Sequence, residues 1–187
     1  MAEREGGGHL LHRFVALNEW SARDQVYPAE VFERRRLYNV TVSRSRHPGL
    51  TEYIRETVYS LKDWIQEGKL EKLAIVFFNP QDKPIERLVF QVKILEEIEA
   101  NLLSIDELEH MLRAFILKIQ VSDSLLDPLP EGSRFELVAY SLSREPEGQT
   151  VWVDDSGGNG VQIFEPTIVP IKSMRSTFLQ MQVHAER

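Results

Sequence analysis

Residues 72–92 read KLAIVFFNPQDKPIERLVFQV, and what this stretch can be constrains everything around it. Lys72 to Phe78 is a continuous apolar run of strand length, rich in β-branched and aromatic residues and without polar alternation. Such a run is a central strand covered on both faces. Asn79-Pro80-Gln81-Asp82-Lys83-Pro84 is turn chemistry, and Arg87 to Val92 returns as a second strand, so the stretch is a β-hairpin.

Upstream, Leu50, Tyr53, Ile54, Val58, Leu61 and Ile65 fall on one helical stripe, with Pro48 in the first turn and Gly68 just past the end. This predicts a single helix opened by His47-Pro48. Leu37 to Ser43 alternates with β-branched residues and reads as one short strand. Leu10, Leu11, Phe14, Ala16, Leu17 and Trp20 recur at near-helical spacing, which predicts an amphipathic helix over 9–25 behind a flexible tail, residues 1–8.

Downstream, Ser104-Ile105-Asp106-Glu107 fits a capping box, so a helix starts there. Leu108, Met111, Leu112, Phe115, Ile116 and Ile119 form one wide apolar face, and Ala114, Leu117 and Val121 extend it along the flank. A helix that apolar is expected at the centre of the domain, laid against the sheet. It nevertheless carries two cations, Arg113 and Lys118. Ser133 to Tyr140 predicts a third strand, and Thr167 to Ser173 and Phe178 to His184 two more. Between them, 144–149 and 154–160 are polar and loop-like, with apolar islands at 151–153 and 161–164. The order predicts an α+β layer of helices on an antiparallel sheet, followed by an arm of a length usual for a lid, a binding loop or a disordered segment.

The bulk numbers narrow the function classes. The 187 residues suit one well-cored domain. Lys and Arg number 22 against 29 Asp and Glu, a net charge of -7 that argues against direct, sequence-independent nucleic-acid binding. There is no cysteine, which removes disulfides, thiolate nucleophiles and iron-sulfur ligands. No apolar run approaches a membrane span, and the charged, Gly-rich start lacks a secretory core, so an intracellular address is expected. His9, His12, His47, His110 and His184 are scattered without a metal-binding context. Gly157-Gly158-Asn159-Gly160 lacks the Lys and helix of a phosphate loop. Arg34-Arg35-Arg36 reads as a solvated face or a source of local salt bridges, and Glu96, Glu97 and Glu99 as solvation before the central helix. No catalytic, cofactor or metal constellation is expected. The residual enzyme reading is a small metal-dependent one using Asp154, Asp155 and a histidine.

Taken together, VYPAEVFERRRLYNV (26–40), RHPGLTEYI (46–54), LRAFILKI (112–119) and VPIKSM (169–174) followed by LQMQ resemble the HORMA-domain accessory subunits of DNA polymerase zeta, in their plant-type form. The similarity runs from about Val26 to the end. It implies a HORMA domain over 9–187, with a core of about 9–141 and a C-terminal safety belt of about 142–187. The implied protein is a nuclear, non-catalytic adaptor of translesion synthesis. Its belt would wrap a proline-containing peptide of the polymerase zeta catalytic subunit, with Tyr53 and Trp152 as the contacting aromatics. Ile168, Gln182 and His184 match a second surface, for the C-terminal domain of the translesion deoxycytidyl transferase. Arg113, Lys118 and Ser124 match the strip on which HORMA domains pair, alone or with a relative. The resemblance implies no membrane contact. This chain departs from the pattern at Asp154, where relatives place an apolar residue, at His184, usually a hydroxylated aromatic, and in its short first helix. The alternative within the fold is a peptide-binding switch protein of the mitotic or meiotic checkpoint.

Overall fold

The computed structural model describes residues 27–95, 105–142, 160–175 and 179–187. The helix expected over 9–25, the cap residue Ser104 and the belt residues around Trp152, Asp154 and Asp155 lie outside them.

The apolar run becomes β3, Leu70–Phe78, which pairs antiparallel with β4, Pro84–Ile94. Asn79 makes the turn between them: its Oδ1 accepts from the N–H groups of Gln81 and Lys83 at 3.0 and 2.9 Å. On its other side β3 pairs with β5, Arg134–Ser141. The chain's last strands, β6 (Ile168–Arg175) and β7 (Leu179–Glu186), form a ladder with each other, and β7 pairs with β4. The sheet order is therefore β5-β3-β4-β7-β6, antiparallel throughout.

Register explains why β3 is apolar on both faces. Leu73, Ile75 and Phe77 lie across from Phe90, Leu88 and Glu86 and face the helices with Leu137, Met181, Val183 and Ala185. Ala74, Val76 and Phe78 face the opposite way and cluster with Val89, against which Val138, Tyr140 and Val161 pack. The outer face of the sheet is thus partly covered by the segment leading into β6.

The first helical region breaks where the sequence predicts continuity. Helix α1, Pro48–Ser60, is capped by His47, whose Nδ1 accepts from the Leu50 N–H at 3.2 Å. Leu61 then bonds only three residues back, to the Val58 carbonyl, and turns fully into the core. The short α2, Lys62–Gln66, follows, and Gly68 closes it at φ +66, the left-handed conformation that glycine supplies without strain. Tertiary burial of Leu61 overrides the continuous stripe.

A second correction concerns Leu37 to Ser43. Two strands occupy this region, β1 (Phe32–Leu37) and β2 (Val40–Ser45), joined at Tyr38-Asn39 with both φ values positive, 46 and 62. Positive φ at both central residues is the hairpin turn whose twist matches its strands. The three arginines in β1 hid its strand character, because its exposed face has no alternation to read.

Helix α3, Ile105–Ser122, lies on the inner face of the sheet. Leu112, Phe115, Ile116 and Ile119 are buried; Phe115 and Ile119 join the sheet core, while Ile116 meets Val40 and Val42 of β2. Each such side chain contributes about 1.5–3 kcal/mol by leaving water. The helix is not covered all round, however. Leu117, Val121 and the following Leu125 are 43%, 58% and 53% exposed. The core takes only one side of α3, and the apolar flank faces outward.

The end of β7 is held by charge. Arg87 of β4 reaches Glu186 at 2.9 Å and donates to the Tyr140 hydroxyl at 2.6 Å. Arg187 reaches the buried Glu86 at 3.0 Å and Asp127 at 2.7 Å, and its backbone N–H and C=O both bond to Thr167.

Candidate peptide-binding edge

Antiparallel pairing sends alternate residues' N–H and C=O groups to opposite sides of a strand. Along β5, the Leu137 N–H points away from β3, because it donates to the Tyr53 hydroxyl at 3.3 Å. Phe135 and Ala139, two residues either way, present their backbone groups to the same side. Among the described residues no strand pairs with this edge, because β6 and β7 occupy the far end of the sheet. An extended chain laid there would find a ready row of main-chain donors and acceptors.

Aromatic rings gather at the edge. Phe135 is 6.5 Å from the Tyr53 ring, 6.2 Å from Tyr27 in an edge-on arrangement and 6.3 Å from Phe77. Tyr53 is 38% exposed, so its ring flanks the edge without being sealed in the core. Partial burial pushes its hydroxyl pKa up; the Leu137 N–H opposes the shift and the Glu136 carboxylate adds to it. The neutral phenol is therefore favoured. Tyr53 thus stands beside the outer edge of β5, whereas Trp152 lies outside the described residues. Sequence reasoning passed over Tyr27 and Phe135. Tyr27 opens the VYP stretch and Phe135 sits on the inward phase of its strand, but nothing local joins them.

The second predicted surface is drawn together by strand register. Ile168 pairs with Glu186 and Pro170 with His184, and Gln182 follows two residues before His184. Residues opposed in this way share a face, so Ile168, Gln182 and His184 lie on the outer side of the β6–β7 ladder. Ile168 and Gln182 are exposed; His184 is half-buried, its Nε2 3.3 Å from Glu186.

Arg113, Lys118 and Ser124 lie along the uncovered flank of α3 and its extension. Lys118 and Ser124 are exposed and Arg113 is half-buried. Ser124 donates to the Val121 carbonyl at 2.8 Å. Neither cation has an ion-pair partner among the described residues, so Glu109 does not supply the local pairing that spacing allows. Leu117, Val121 and Leu125 fill the same strip with exposed apolar surface.

No group of metal-ligating side chains occurs among the described residues. No helix among them is long and apolar enough to cross a membrane.

No family model matches the chain. It is 37% identical over 164 residues to the DNA polymerase zeta processivity subunit of Arabidopsis thaliana, covering 86% of this chain and 75% of that protein. It is 34% identical over 172 residues to the mitotic spindle assembly checkpoint protein MAD2B of Homo sapiens, covering 87% and 81%. Among solved structures, a chain of the mitotic checkpoint complex superposes with a TM-score of 0.81 at 24% identity over 98% of each chain. HTP-1 of C. elegans, solved bound to the HIM-3 closure motif, superposes at 0.71 and 14% identity, over 95% of this chain and 87% of that one. These structural likenesses show a shared fold.

Proposed function

The chain belongs to the HORMA-domain family of polymerase zeta processivity subunits and MAD2B proteins, and on that premise we propose that it is an adaptor that holds an extended peptide along the outer edge of β5. Its relatives are non-catalytic, and the chain is not an enzyme. The observation that carries the reading is the edge itself: outward main-chain groups on Phe135, Leu137 and Ala139, bordered by the half-exposed Tyr53, with the C-terminal hairpin placed on β4 at the opposite side.

Residues 142–167 join β5 at one edge to β6 at the other, a separation of four inter-strand spacings, about 19 Å. In this reading the connection would close over a chain lying on β5, with Trp152 as its contacting aromatic. Main-chain pairing would supply affinity, and the Tyr27, Tyr53 and Phe135 rings a seat for an apolar or proline side chain. The guest we assign is a proline-containing segment of the polymerase zeta catalytic subunit. The outer face at Ile168, Gln182 and His184 is assigned to the C-terminal domain of the translesion deoxycytidyl transferase, and the Arg113, Lys118 and Ser124 strip to a second HORMA domain. This work would be done in the nucleus.

Retention of the polymerase segment on the purified chain tests the reading. Wild type should hold it through size exclusion, and Tyr53→Ala and Trp152→Ala should release it. Retention of a checkpoint closure peptide in its place would transfer the protein to the switch branch of the fold. Light scattering on wild type and Arg113→Ala tests pairing: loss of a dimer is expected in the variant.

A further inference from the structure

The -7 charge of the chain is a sum, and the fold does not spread it evenly. The β1–β2 hairpin and the residue after it carry Arg34, Arg35, Arg36, Arg44 and Arg46, with Glu33 as the one acid within the strands. Register sorts these side chains. Glu33 opposes Arg44, and Arg35 opposes Val42, so these share the face whose tip packs on α3. There Arg35 donates to Glu33 at 2.7 Å, and this hydrogen bond, with the charges of Arg35, Arg44 and Arg46 behind it, holds the Glu33 carboxyl below its ordinary range. The local acid is thus already claimed.

The other face carries Arg34 opposite Ser43 and Arg36 opposite Thr41. Both arginines are exposed, and among the described residues neither has an ion-pair partner. Two residues along a strand is about 6.6 Å, so two guanidinium groups stand side by side, each beside a hydroxyl-bearing residue of the neighbouring strand. Thr41 is also tied to α3, since Gln120 donates to its carbonyl at 2.7 Å, which steadies the ribbon.

We infer that this outward face of the β1–β2 hairpin is a contact site for the phosphate backbone of DNA, with Arg34 and Arg36 as the phosphate ligands. The chemistry selects this partner over an acidic protein surface. Protein interfaces are anchored by aromatic or aliphatic side chains at their centre; the aromatic on this face, Phe32, is packed against the core opposite the buried Ser45, and the exposed positions Arg34, Arg36 and Thr41 offer none. Arginine with serine and threonine is the donor set that contacts phosphate without reading bases. Two such contacts opposed by a negative chain make a weak site. Its use rests on the adaptor reading: a polymerase-bound subunit needs only to touch DNA already held nearby, and such a contact lengthens the stay of the assembly on its template.

The test uses the full chain and a fluorescein-labelled primer-template duplex, with anisotropy read across a salt series. Wild type should bind weakly, with log K falling against log salt at a slope of about −2, close to 0.9 per phosphate contact. Arg34→Glu with Arg36→Glu should lower affinity at least about tenfold and bring the slope towards zero, since each lost phosphate contact removes about one unit. Lys83→Glu with Lys93→Glu, two exposed cations elsewhere with the same total charge change, should lose several-fold less. Wild type without salt-dependent binding, equal loss in the two double variants, or displacement of the DNA by polyglutamate as readily as by unlabelled duplex would each overturn the site. Retention of the polymerase peptide, measured in parallel on the Arg34→Glu/Arg36→Glu variant, is expected to be unchanged, so failure of the DNA site is separable from failure of the adaptor reading.

Discussion

The two ends of the sheet are finished in opposite ways. Beyond β4, the ladder is completed by β7 and β6, and its last residues are pinned by Arg87 to Glu186 and Arg187 to Glu86. Beyond β3, among the described residues, the ladder stops at β5, and one tyrosine hydroxyl on the Leu137 N–H is the described contact with its outward groups. Edges left open invite foreign strands, and β6, the edge at the other end, carries Pro170, which has no N–H to give. Among the described residues, one sheet therefore has a closed side and an open one. Buried ion pairs are poor sources of net stability but costly to break singly, which makes them suited to fixing where a hairpin docks.

The largest expected effect strikes the closed side. Glu186→Ala should strand the nearly buried Arg87 and cost about 3–5 kcal/mol in chemical denaturation, with hydrogen-exchange protection lost first along β7. Arg87→Met combined with Glu186→Leu should recover most of that loss. If the single change is silent, the pinning does not hold the hairpin.

Proline placed on β5 distinguishes its two sides. Val138→Pro removes an N–H from the β3 ladder and should destabilise the fold by at least about 1 kcal/mol beyond Ala139→Pro, whose N–H points outward. Peptide retention should show the reverse sensitivity among folded variants, with Ala139→Pro releasing the guest. Equal retention would mean that the guest does not pair with this edge.

Tyr53→Phe isolates the one described bond at the open side. Loss of the hydroxyl should cost about 0.5–1.5 kcal/mol in thermal or chemical unfolding, since the Leu137 N–H faces a partly open edge where water can replace it. The smallest effect is alkaline. The Tyr53 pKa is raised in the fold, so its contribution is fully present below the pKa of the unfolded tyrosine and is lost as pH rises through the folded value. Above pH ~10, wild type should therefore lose stability more steeply than Tyr53→Phe in melting curves.

How much of this was legible differs by element. The β3–β4 hairpin was plain in KLAIVFFNPQDKPIERLVF because its signals are local: an unbroken apolar run, an Asn-Pro turn, a return. The helix after His47-Pro48 was legible at both ends, through the cap and Gly68, but not at Leu61, where packing turned the chain. Strand β1 was illegible because arginines fill its outward face. Of the site, Tyr53 was reached through family resemblance; the residues alone could not show that its hydroxyl meets an N–H 84 positions away.

By itself the sequence determined the β3–β4 hairpin, α3, the later strands, the α+β class and the absence of cysteine chemistry, because caps, turns and periodicity act within a few residues. Only the tertiary structure decided which strand was left at the edge, that α3 shows one apolar flank to solvent, and that five arginines of an acidic chain share one ribbon. Those outcomes depend on pairing between distant segments and on which surfaces the core covers, neither of which any short stretch encodes.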